Sequence, residues 1–133
     1  MDVPETFQAR INRLNIQGIS AFKDGRNKVA ETLFANVLLL DKQNQEARFN
    51  LGYLHYTQSN YSLATTFFAP LYNETYTPDS ANLPLLYGYS LCKTGMPNRG
   101  VIIIQKGMKE MSDTQRIAAV NTVEKCLKIN HRR

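Results

Sequence analysis

The side chains best suited to chemistry in this 133-residue chain are few and scattered. Its two histidines, His55 and His131, stand far apart, and the carboxylates occur singly. No HExxH helix, nucleophile elbow or phosphate loop accompanies them. Cys92 and Cys126 form no CxxC pair. Two cysteines alone make neither a zinc set nor a disulfide framework, so both are expected as reduced, partly buried thiols. Hence no catalytic residue, metal ligand or cofactor is expected, and the chain reads as a binding protein, not an enzyme. The chemistry that does recur is that of recognition. Seven tyrosines and six phenylalanines stand against no tryptophan, and several keep fixed offsets from Gly18, Gly52 and Gly88. One residue after each glycine come Ile19, Tyr53 and Tyr89; four after come Phe22, Tyr56 and Cys92; three before come Asn15, Phe49 and Leu85. Tyrosine offers a large, stiff apolar surface with a polar tip, which suits an extended peptide.

Those glycines also disclose the scaffold. Gly18 and Gly52 lie 34 residues apart, as do Ala30 and Ala64, Phe34 and Phe68, and Phe22 and Tyr56. This is the period of tetratricopeptide (TPR) repeats, each a pair of antiparallel helices. A third unit follows with two extra residues: Gly88 lies 36 after Gly52, with Gly100 and Ile104 in the places of Ala64 and Phe68. The extra length falls in the turn-rich stretch Asn73 to Ser80. Small residues on both helices let the backbones approach, and large apolar residues fill the gap to the next unit. Turn signals sit where this requires them, around Gly25, Ser59 and Gly95, with Pro97 suited to a first helical turn.

The expected fold is therefore all-α: three TPR hairpins in a right-handed superhelical stack plus a C-terminal capping helix, in one domain. The repeats run over about 11–44, 45–78 and 81–112, and the capping helix over about 113–129. Helices are expected at about 5–23, 27–41, 44–58, 61–73, 80–94 and 97–111. Pro70 should kink or shorten the fourth. Ser112 and Asp113 start the last helix, whose Ile117, Val120, Val123 and Leu127 form an apolar stripe expected to cover the third repeat. In such a stack the first helices line the concave side. The peptide-binding set is then Asn15, Ile19, Phe22, Phe49, Tyr53, Tyr56, Leu85 and Tyr89. Asn12, Asn15, Asn50 and Asn82 near the rim suit a peptide backbone. The same aromatics also have a structural use, packing within and between repeats, above all Phe22 and Tyr56 near the helix seam.

Composition agrees with a folded, soluble chain: 43% hydrophobic and 20% charged. No apolar run reaches the length of a membrane span, and Asp2 and Glu5 stand where a signal peptide would be basic. The expected location is cytoplasmic, without membrane insertion. A net charge of +5, concentrated slightly at Lys125, Lys128, His131, Arg132 and Arg133, comes without a nucleic-acid-binding motif, so no nucleic-acid partner is expected.

Over about Leu14 to Met111 the chain resembles the TPR superfamily. Within it, LFANVLLLDKQNQEARFNLGYLHYTQSNYSLATTFF and LLYGYSLCKTGMPNRG are similar to the class II chaperones of bacterial type III secretion, which hold hydrophobic translocators. That resemblance implies a groove for an extended client segment, formed by Phe22, Phe49, Tyr53, Tyr56, Leu85 and Tyr89. The sequence departs from the family where Gly100 and Gly107 replace expected alanines, and where the N-terminal helical region is short. The chaperone-tail adaptors of the superfamily are a poor match. Asn50 fits one asparagine of their carboxylate clamp, but Asn15 and Ile19, Asn82 and Leu86 occupy positions that need cations and a further asparagine. Two functions follow: a chaperone or adaptor holding a protein client, or a structural subunit of a secretion or pilus apparatus. Homodimerisation through the first helix is compatible with both.

Overall fold

The computed structural model describes residues 3–74 and 82–131. Among them are seven α-helices and one short 3-10 turn: α1 (Phe7–Lys23), α2 (Asn27–Leu40), α3 (Gln45–Thr57), α4 (Tyr61–Asn73), α5 (Asn82–Lys93), α6 (Pro97–Gly107) and α7 (Asp113–His131), the turn spanning Met108–Glu110. Each of the first six lies within its expected range. The fold class read from the 34-residue period is the one observed.

Local chemistry explains the boundaries. Thr6 caps α1 by accepting from the Ala9 N–H at 3.0 Å, and Asn44 caps α3 by accepting from that of Ala47 at 2.9 Å. At α7, Ser112 and Gln115 cap each other reciprocally: the Gln115 N–H donates to Ser112 Oγ and the Ser112 N–H to Gln115 Oε1. The three hairpin turns place Gly25, Ser59 and Gly95 in the left-handed region, where glycine carries no Cβ penalty. Pro70 neither ends nor shortens its helix: α4 continues to Asn73. Within a turn of a helix end, Pro70 withholds few backbone bonds.

Within each hairpin the glycine makes a notch that a residue sixteen positions later fills. A Cβ on Gly18 would strike the ring of Phe34, and one on Gly52 the ring of Phe68. Both phenylalanines are fully buried. At Gly88 the obstacle is Ile104 together with the backbone of Gly100. These pairs seed successive apolar clusters along the stack: Phe34 with Leu51 and Leu54, Phe68 with Leu83 and Tyr87, and Ile104 with Met111 and Ala119.

The last helix departs from expectation twice. Its inward face consists of Ala119 and Cys126, with Val123 and Ile129 partly covered. Ile117, Val120 and Leu127, expected inside, are exposed at 65%, 48% and 42%. The reason is size. α7 meets α5 and α6 most closely through small side chains, and that rotation turns Ile117, Val120 and Leu127 outward. The second departure is that Cys92 and Cys126 are not free thiols but a disulfide between α5 and α7. Their 34-residue separation puts both cysteines at the same repeat register, which simple counting of cysteines overlooks. The insertion loop expected up to Ser80 and the end of the basic cluster at Arg132 and Arg133 lie outside the described residues.

Candidate binding groove

Helices α1, α3 and α5 run side by side and turn the positions flanking their glycines to one face. Tyr53 stands at the middle of that face, 40% exposed. Phe22 of α1 leans on it at 5.9 Å between ring centroids, Phe49 stacks at 6.3 Å and Tyr56 at 6.5 Å. Phe49 rests in turn on the buried Phe68 at 5.9 Å. Toward the third repeat, Tyr56, Tyr61 and Tyr89 pack edge to face with centroids 5.6–6.3 Å apart. Lys93 Nζ lies 5.8 Å from the centre of the Tyr61 ring, within cation–π reach. Burial, with the neighbouring Tyr61, Tyr89 and Tyr53 phenols, pushes the Tyr56 hydroxyl up to about 12.

Two hollows open on either side of Tyr53. One, of about 280 Å³ between α1 and α3, is lined by Ile19, Phe22, Lys23, Phe34, Asn50 and Tyr53. The other, of about 400 Å³ between α3 and α5, is lined by Phe49, Tyr53, Asn82, Leu85 and Leu86. Tyr53 is the wall they share. Among the described residues that line them, Lys23 is the charged one.

Of the expected set, Ile19, Phe22, Phe49, Tyr53 and Leu85 line these hollows. Tyr56 and Tyr89 lie beside them in the tyrosine cluster and line neither. Asn15 is a correction. It is 1% exposed, and its Nδ2 donates to Asn44 Oδ1 at 3.3 Å, bracing the residue that caps α3. It is a structural side chain, not a rim contact. Asn82 does reach the groove, although its Oδ1 already accepts from Gln115 Nε2 of α7 at 3.1 Å. Asn50 has a buried Nδ2 with no hydrogen-bond partner. Such an orphan donor costs on the order of 1–3 kcal/mol. Tyr61 joins this aromatic face from the start of a second helix, α4, directly after the Asn60 turn, where the glycine offsets of the first helices do not reach. His55 is buried and stacked on Phe67 at 5.8 Å.

A point mutant of the O-GlcNAc transferase of Thermobaculum terrenum superposes on 94% of the chain, with a TM-score of 0.75 and 25% sequence identity. The fold is TPR-like. The chain spans 23% of the length of that transferase, so the likeness concerns a helical region and carries no activity across. No family model matches the sequence, and no curated protein matches it. None of the described helices is long and apolar enough to cross a membrane.

Proposed function

We propose that this chain is a protein-interaction module, not an enzyme, that holds an extended apolar segment of a client protein across α1, α3 and α5, as a chaperone or adaptor does. The observation that carries the reading is Tyr53. A tyrosine held by aromatic neighbours on three sides, yet 40% exposed between two apolar hollows, is a preorganised contact surface awaiting a partner. The likeness to type III secretion chaperones in LFANVLLLDKQNQEARFNLGYLHYTQSNYSLATTFF is the finer form of the same reading. A cytoplasmic location would follow from it, and the Cys92–Cys126 bond stands against that location, because disulfides persist in oxidising compartments.

The second reading, an assembly subunit, draws on the exposed Ile117, Val120 and Leu127 of α7, an end surface suited to permanent docking. The two readings separate by mutation. The full chain would be purified with its native partner, and partner retention quantified for Tyr53→Ala and for the pair Ile117→Ser and Val120→Ser. The client reading expects Tyr53→Ala to lose tenfold or more, on the order of a hot-spot aromatic, with the α7 pair unchanged. The opposite pattern would sink it in favour of docking through α7.

A further inference from the structure

The outer face of α7 carries side chains that a water-facing helix does not need. Ile117, Val120, Glu124 and Leu127 follow at steps of three, four and three residues, which sets them in one row about 15 Å long on a helix. The three apolar members are 65%, 48% and 42% exposed. Among the described residues α7 packs on α5, α6 and the turn before it, and none of these covers the row. The end of a helical stack is ordinarily polar, because nothing further stacks on it. Here the cap is apolar along one row. The Cys92–Cys126 bond, and the Arg116 Nε–H donating to Met108 O at 3.0 Å, hold the helix with that row outward.

Charge selects the occupant. From residue 82 onward nine lysines and arginines stand against three carboxylates, whereas residues 1–81 carry seven against eight. The seven of those nine that are described are all exposed. By helical spacing, Lys128, with Lys125 beyond it, borders the row on one side, and Arg116, paired to Asp113 at 3.6 Å, borders it on the other. A second copy of the chain would bring basic borders against basic borders. A nucleic acid would leave the apolar row unmatched. An anionic bilayer would have to take in Glu124 from within the row, a carboxylate of the same sign as the lipid. A protein helix meets every part of the face: apolar side chains at matching spacing on the row, carboxylates along its flank for Lys125 and Lys128, and one cation for Glu124. We propose that the outer face of α7 docks an acidic amphipathic helix of a partner protein. This deepens the α7 docking reading, uses no groove residue and stands or falls apart from client binding.

The test uses three labelled helical peptides of about 18 residues, five turns, and reads their affinity for the full chain by fluorescence anisotropy. One has a row of leucines at helical spacing flanked by glutamates. The second has lysines in place of the glutamates, and the third keeps the composition of the first with its leucines scattered. The first should bind about tenfold or more tightly than either of the others, and its lead over the second should narrow as salt rises. Ile117→Ser with Val120→Ser should weaken that binding about tenfold or more. Lys125→Glu with Lys128→Glu should turn the preference toward the lysine peptide. All four side chains are exposed, so both variants should keep the far-UV circular dichroism of the native chain. Tyr53→Ala should change nothing. Loss with Tyr53→Ala and none with the α7 serines overturns the inference and supports the groove reading. No binding by the first peptide, or equal binding by all three, overturns it and leaves the groove reading as it was. Binding to phosphatidylglycerol vesicles that the α7 serines abolish overturns it in favour of a membrane surface, and a dimer that they abolish overturns it in favour of a second copy.

Discussion

In the first two hairpins a phenylalanine ring fills the glycine notch, Phe34 against Gly18 and Phe68 against Gly52, and an alanine, Ala30 or Ala64, stands on the second helix. In the third, Ile104 replaces the ring and Gly100 replaces the alanine. A Cβ on Gly100 would collide with the Gly88 carbonyl oxygen and with Cys92 Sγ. There the two helices meet backbone to backbone. The same period thus permits two solutions: a side chain as spacer, or no spacer at all. The difference has a consequence for what surrounds each hairpin. The first packs on the second, and the second on the third, through large apolar side chains. The third carries on its outer side α7, whose fully buried residues among those described are Ala119 and Cys126, and a disulfide adds to its apolar contacts.

The largest expected effect follows from that tie. Closing a 34-residue loop is worth about 4 kcal/mol in the chain-entropy account. Reductant should lower the denaturation midpoint of the oxidised protein by a matching amount, and the Cys92→Ala, Cys126→Ala double variant should show no response to reductant. An unchanged midpoint in the native sequence would mean that α7 is held by its apolar contacts alone.

The next effect breaks the comparison between hairpins directly. Gly100→Ala should cost about 3 kcal/mol, at the upper end of overpacking, because its obstacles include a carbonyl that cannot turn aside. Gly18→Ala should cost about 1–3 kcal/mol, since it meets only the Phe34 ring. Phe34→Leu should recover part of the Gly18→Ala loss, a coupling visible in a double-mutant cycle. Ile104→Val should recover little of the Gly100→Ala loss. Equal rescue in both hairpins would refute the distinction between a side-chain spacer and backbone contact.

How much of this was legible beforehand divides along the same line. The notch and its filler are local in register: Gly18 and Phe34 repeat as Gly52 and Phe68, so periodicity alone places the helices and most of the groove. The rotation of α7 was not legible, because its apolar stripe at Ile117, Val120 and Leu127 is a better amphipathic signal than the small side chains that face inward. Pattern strength ranked the wrong face, since close approach favours alanine and cysteine over bulk. The Asn15 error has the same root. Its offset from Gly18 matches Phe49 and Leu85, but the first repeat uses that site to brace Asn44 by a hydrogen bond that no periodicity encodes. The disulfide needed the three-dimensional adjacency of α5 and α7 to be seen.

The smallest expected effect concerns the turns, where the second hairpin is the exception. All three turns close with one long backbone bond: Arg26 N–H to Ala21 O, Asn60 N–H to His55 O and Met96 N–H to Leu91 O, at 2.8, 2.8 and 2.9 Å. This is the Schellman arrangement, which puts the residue before the donor in the left-handed region. Gly25 and Gly95 take that position with φ of 78° and 97°, but in the second hairpin it falls to Ser59, with φ of 60°. A residue with a Cβ bears roughly 1–2 kcal/mol of strain there. Ser59→Gly removes the strain and gives back about 0.4–1 kcal/mol through the freer unfolded chain. The net should be a gain of about 0.5–1 kcal/mol, read as a higher urea midpoint at constant slope. The reverse changes, Gly25→Ser and Gly95→Ser, should each lose a similar amount. If Ser59→Gly instead lowered the midpoint, the serine hydroxyl would have to contribute more than the backbone strain costs, and the second turn would differ from the other two in kind.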